Sequence, residues 1–121
     1  MNDRRAVGQR GEDLAADYLE KNGYRVLERN VRSRYGEIDI VAEHQGCVVF
    51  VEVRTVRSRG IMPEESIGRG KQRRIGALAL AYLQRAQRTD ADWRTDVLAI
   101  ELEQDGRARR IEHIKDAVEE R

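Results

Sequence analysis

The sequence predicts an α/β domain in which a mixed sheet of about five strands is flanked by two helices, in the order α-β-β-β-α-β-β. Three observations predict it. Two long segments carry apolar residues at helical spacing, five shorter ones are apolar and β-branched, and a turn signal makes the second and third strands a hairpin. A chain of 121 residues suffices for one such core and is too short for two, so residues 1–121 read as a single domain.

The first helix covers residues 4–21. Val7, Gly11, Leu14, Ala15, Tyr18 and Leu19 form one stripe, Asp3 offers an N-cap, and Asn22-Gly23 gives a stop. Gly8 and Gly11 each weaken a helix, which points to close approach to the sheet. Residues 24–32 read as the first strand. Residues 37–42 and 47–53 are the second and third, joined through His44-Gln45-Gly46. A polar stretch follows to Arg69, long enough for a functional loop and holding the only Pro. The second helix covers 71–88, with Ile75, Leu78, Ala79, Tyr82, Leu83 and Ala86 on its apolar stripe. Residues 95–102 and 109–114 are the last strands, separated by an Asp105-Gly106 turn.

The hairpin carries the chemistry. With Gln45-Gly46 as a two-residue loop, facing residues have numbers summing to 91, so Asp39 is expected opposite Glu52 and Glu37 opposite Arg54. Val48 and Phe50 share a face with Glu52 and Arg54, while Val49, Val51 and Val53 fill the other. The third strand is therefore central, apolar on both sides at its start, and charged only at its end. Two facing carboxylates repel unless a cation lies between them. A hard ion such as Mg²⁺ would resolve the repulsion, and Arg54 beside them would hold a phosphate or stabilise the charge that develops on it. The competing reading is a buried salt-bridge cluster of Asp39, Glu52 and Arg54 with no substrate.

The net charge of +1 conceals an uneven distribution. Residues 54–74 hold seven bases against Glu64 and Glu65, whereas residues 90–105 hold six acids against Arg94 alone. The basic segment suits a phosphate chain. No apolar run approaches a membrane span, the N-terminus leads into no signal-like segment, and Cys47, the only cysteine, has no internal disulfide partner; a cytoplasmic address is expected. His44 and His113 lack metal-ligand spacing with Cys47. Cys47 itself reads as a small core residue. Gly68-Arg69-Gly70-Lys71 lacks the full phosphate-loop spacing and follows no strand.

Gly36-Glu37-Ile38-Asp39, then twelve residues, then Glu52-Val53-Arg54 resembles the PD-(D/E)XK core of the restriction-endonuclease-like superfamily. Gly11-Glu12-x-x-Ala15, Gly23-Tyr24, Phe50-Val51-Glu52-Val53-Arg54, Gly70-Lys71-Gln72, Asp96-Val97 and Ile114-Lys115-Asp116-Ala117 together resemble the YraN-like family of small bacterial proteins. That family is similar in fold to archaeal Holliday-junction resolvases. The resemblance spans residues 8–118 and implies the restriction-endonuclease-like fold. It implies Asp39 and Glu52 as catalytic metal ligands, the Val53 carbonyl as a third, and Glu12 as a helix acid completing a Mg²⁺ or Mn²⁺ site. Lys71 and Gln72 would open the second helix toward that site.

One position departs from the superfamily pattern, which ends in Lys where this chain has Arg54. Arginine stays charged and cannot accept a proton. Its catalytic part is then electrostatic, and the attacking water is activated by the metal. The expected function is a metal-dependent nuclease acting on DNA in preference to RNA, with branched or partly single-stranded DNA as its substrate. Arg57, Arg59, Arg69, Lys71, Gln72, Arg73 and Arg74 would contact the nucleic acid, and resolvase-like pairing implies a homodimer. The alternatives are a non-catalytic nucleic-acid-binding module in DNA repair or processing, and a scaffold whose acidic 90–105 segment contacts another protein.

Overall fold

The computed structural model describes residues 3–57 and 69–117. Its elements are α1 (Asp3–Lys21), β1 (Arg25–Ser33), β2 (Gly36–His44), β3 (Cys47–Arg57), α2 (Arg69–Arg85), β4 (Asp92–Leu102) and β5 (Ala108–Ile114). This is the expected order of elements. The five strands form one mixed sheet in sequence order, antiparallel throughout except for β3 and β4, which run parallel on either side of the α2 crossover. No helix of the described residues is long and apolar enough to cross a membrane.

Each sheet face carries its own core. Ala15 and Leu19 of α1 cover Ile40, Ala42, Val49, Val51, Leu98, Ile100 and Leu102. Leu78, Ala79, Tyr82 and Leu83 of α2 cover Val31, Ile38, Val41, Val48 and Phe50. The alternation along β3 is the expected one, and β3 is the middle strand.

Both helices end in the same way. Gly23 takes φ +89°, Tyr24 N–H donates to the Leu19 carbonyl and Gly23 N–H to that of Glu20, so the orphaned carbonyls of α1 are satisfied. In α2, Gln87 at φ 60° plays the glycine's part, which ends the helix at Arg85 and short of the expected Arg88. The N-terminal end of α1 begins at Asp3 itself.

The two glycines of α1 differ. Gly8 has open space where a Cβ would go, so it is not the close approach expected. A Cβ on Gly11 would overlap Thr55 Oγ1 and lie 2.6 Å from Thr55 Cγ2, so α1 lies directly on the far end of β3. Gly11→Ala is therefore expected to destabilise the fold by about 1–3 kcal/mol despite its better helix propensity. Gly8→Ala should stabilise it by about 0.5–1 kcal/mol. Urea denaturation of the two variants would show opposite signs.

Candidate metal and phosphate site at the β2–β3 fork

The hairpin register is the expected one at its turn. His44 pairs with Cys47, and Gln45 and Gly46 both take positive φ. The ladder continues to Ile40↔Val51 and stops there. Asp39 and Glu52 are thus on adjacent strands, one residue past the last pair. Glu37 does not face Arg54 as expected. It pairs across β1 with Arg32, whose Nε lies 3.5 Å from Glu37 Oε2. The cause is a fork in the sheet: β2 follows β1 to Ser33↔Gly36, while β3 follows β4 to Arg57↔Leu102. Residues 54–57 are accordingly strand and not the start of the loop.

Asp39 sits at the opening of this fork. Its Oδ2 accepts the Val53 N–H at 2.8 Å, a donor that the β2 backbone no longer meets. In an extended strand the N–H and C=O of one residue point to the same side, so the Val53 carbonyl is directed toward β2 as well. Alternation breaks here too. Ile40 and Ala42 belong to the α1-side core, yet Ile38, two residues on, belongs to the α2-side core. Opposite the break, Asn30 of β1 takes φ 55° between the pairs Arg29↔Ile40 and Val31↔Ile38.

Glu52 is buried, with Arg54 beside it on the α2 side of the sheet. Arg54 Nε lies 3.7 Å from Glu52 Oε2, an ion pair too long for a hydrogen bond. That Nε is buried and has no hydrogen-bond partner among the described residues. A buried guanidinium N–H without an acceptor is costly, and an incoming phosphate oxygen would relieve that cost.

Glu12 approaches the fork from α1, on the opposite face of the sheet from Glu52 and Arg54. Its Oε1 accepts from Arg29 Nη2 at 3.0 Å and from Asn30 Nδ2 at 2.9 Å, and Arg29 also bonds Asp13. Asn30 is the cross-strand neighbour of Asp39, so Glu12 stands one side chain away from the fork. Among the described residues no three or more His, Cys, Asp and Glu side chains are assembled around one point. The oxygen donors at the fork are the Asp39 and Glu52 carboxylates and the Val53 carbonyl. All are hard ligands, and as a set they fit Mg²⁺ or Mn²⁺.

The remaining expected contacts fall where side chains are not described. Arg59 lies outside the described residues. Arg57 closes β3, and Arg69, Lys71, Gln72, Arg73 and Arg74 open α2, each placed as backbone only.

The acidic 90–105 segment is not one exposed patch. Asp96 is completely buried, and Glu101 faces Arg110 at 3.6 Å. Asp96 accepts from Arg94 Nε at 2.9 Å and from the Asp116 backbone N–H at 2.9 Å, and it lies 2.8 Å from His113 Nε2. A carboxylate only accepts, so His113 Nε2 carries the proton and Nδ1 faces the Tyr18 hydroxyl at 3.3 Å. Arg94 also donates to Tyr24 OH at 2.8 Å, and Tyr24 stacks on His44 at 4.0 Å. Alternation held the signal for this cluster: Arg94 and Asp96 share a face with Leu98, Ile100 and Leu102, where a surface acid would not sit. Cys47 is free and half-buried, and burial pushes its thiol pKa up, which suits a packing residue and not a nucleophile.

Comparison with known proteins follows the same residues. The profile of an uncharacterised protein family, UPF0102, matches residues 11–100, from the glycine against Thr55 through both strands of the fork to Ile100 in β4. The chain belongs to the UPF0102 family. A UPF0102 protein of Trichlorobacter lovleyi is 50% identical over 114 residues, covering 93% of this chain and 89% of its own length. That of Syntrophus aciditrophicus is 45% identical over 120 residues, covering 98% and 93%. That of Symbiobacterium thermophilum is 46% identical over 106 residues, covering 87% and 90%. The UPF0102 chain thus matches these relatives over nearly their whole length.

Proposed function

We propose that this UPF0102 protein is a metal-dependent nuclease on a restriction-endonuclease-like fold, acting in the cytoplasm on DNA and suited to branched forms. The observation that carries the reading is the fork. Asp39 leaves the ladder to hold Val53 N–H, next in the chain to buried Glu52, and Arg54 Nε has no acceptor among the described residues.

Asp39, Glu52 and the Val53 carbonyl would hold Mg²⁺ or Mn²⁺, with Glu12 drawn in from Asn30. The ion, when bound, supplies positive charge at the phosphodiester and lowers the pKa of water for the attack. The chain's own part is positional and electrostatic. Arg54 stays charged at every working pH, so it holds the phosphate and offsets the charge growing on it, and transfers no proton. α2 opens with Arg69, Lys71, Arg73 and Arg74 and has no acid in its first turn. Cations at a helix N-terminus are unfavourable unless an anion joins them, as a DNA phosphate would. A homodimer would present two such sites to opposed strands.

A non-catalytic nucleic-acid-binding module is favoured by one specific observation, the Glu52–Arg54 ion pair, which can neutralise Glu52 without a metal. Incubation with branched and linear DNA separates the two. The nuclease reading expects strand cleavage that needs Mg²⁺ or Mn²⁺ and stops in EDTA; salt-dependent binding with no cleavage in either metal selects the module. In both, affinity for duplex DNA should fall with salt at a log–log slope of ~0.9 per phosphate contact, and Arg73→Ala with Arg74→Ala should flatten it.

A further inference from the structure

We infer that the β1–β2 hairpin tip is a stacking site for an unpaired base, so that the nucleic acid held by this protein is single-stranded, or opened to single strands, beside the fork. The inference rests on the nucleic-acid reading above and narrows its substrate class.

Tyr35 stands at the tip between β1 and β2 and is one of only two large hydrophobic side chains exposed among the described residues, at 43%. The Arg34 guanidinium lies 5.1 Å from the ring centroid, and its Nη2 donates to the Tyr35 hydroxyl at 3.0 Å. Ser33 Oγ accepts the Tyr35 N–H at 3.1 Å, which fixes the backbone beneath the ring. No described carboxylate neutralises Arg34. An exposed ring carrying an uncompensated arginine offers a π-face for a base and a cation for its phosphate, the pairing that single-strand binders use.

Two further features tie the tip to the fork. Gly36 to Asp39 is three residues of β2, roughly 10 Å. Behind the tip, on the α2 face that also carries Glu52 and Arg54, lies a cleft of about 120 Å³. Its apolar walls include Val31, Ile38, Leu78 and Tyr82, and Arg32 and Arg85 edge it. Arg85 lies over the Tyr82 ring at 5.3 Å, a second arginine–aromatic pair, in the lining of this cleft. A base pair's edge presents no free ring face to such a platform, whereas an unstacked base does.

The test is binding in EDTA, where nothing is cut. A single-stranded oligonucleotide with one 2-aminopurine, and the duplex of the same sequence, are titrated with wild type, Tyr35→Ala and Tyr35→Phe. Tyr35 is exposed, so neither change threatens the fold. Tyr35→Ala should weaken single-strand binding by about tenfold or more, abolish the quenching of 2-aminopurine, and leave duplex affinity within about twofold; Tyr35→Phe should keep both. Equal binding of single strand by wild type and Tyr35→Ala, an equal loss on both DNAs, or no DNA binding by wild type would each overturn the inference. Cleavage in Mg²⁺ is scored separately. A wild type that does not cut but shows the Tyr35 effect loses the nuclease reading and keeps this site, and the converse result does the opposite.

Discussion

Replacing Asp96 with Asn is expected to destabilise the fold by about 3–5 kcal/mol, because it removes a completely buried anion that Arg94, His113 and the Asp116 N–H all bond, and leaves the partly buried Arg94 uncompensated. The amide keeps the shape of the carboxylate but turns one acceptor into a donor. That donor would meet Arg94, His113 or the Asp116 N–H, all of which already donate. Three elements lose a tie together, since Asp96 joins β4 to β5 through His113 and to the turn after β5 through Asp116. Urea denaturation at neutral pH measures the cost; a change below about 0.5 kcal/mol, the size of a surface substitution, would contradict it. The pH dependence has a definite sign. Burial pushes the Asp96 carboxyl up, but the bonds from His113, Arg94 and Asp116 outweigh it and hold the carboxyl below its ordinary value. A carboxylate lowered in this way contributes fully above its unfolded pKa of about 3.9 and loses that contribution as pH falls through its lower folded value. The stability gap between wild type and Asp96→Asn should therefore be flat at neutral pH and close only in strong acid.

Glu52→Gln is expected to cut metal-dependent cleavage by a thousandfold or more, roughly 4 kcal/mol of transition-state stabilisation. The folded protein should survive the change. Asp39 and Glu52 lie one residue past the last β2–β3 pair, so the amide removes one of two carboxylates on adjacent strands at the fork. In the absence of metal the variant should melt no lower than wild type. A drop worth about 3–5 kcal/mol, with no cleavage by wild type, would mean that Glu52 and Arg54 form a structural ion pair, and the non-catalytic module would then be the better account.

Period and turn chemistry made most of the architecture legible. The two helical stripes, the central apolar strand and the Gln45-Gly46 turn led to the right element order and to the right register at the turn. They did not show where that register ends. Whether β2 and β3 stay paired past Asp39 depends on their other neighbours, and only the pull of β1 on β2 and of β4 on β3 opens the fork. Glu52 and Arg54 stood out because charge appears only after the apolar start of the third strand, and Asp39 because the hairpin count sets it opposite Glu52. Asp96 was counted with a surface-like acidic run because its partners, His113 and the Asp116 N–H, come from β5 and the turn beyond it. Gly11 revealed a helix seated on the sheet, but the same pattern at Gly8 has nothing against it. A glycine's helix penalty says that something unusual is tolerated, not which neighbour requires it.

The most direct test of the fork as a metal site is a calorimetric titration of the metal-free protein with Mn²⁺, for wild type and for Glu52→Gln. The account predicts one saturable site per chain in wild type, lost in Glu52→Gln, with Mg²⁺ competing for it. Wild type and variant giving the same isotherm, or neither binding Mn²⁺ at all, would contradict it.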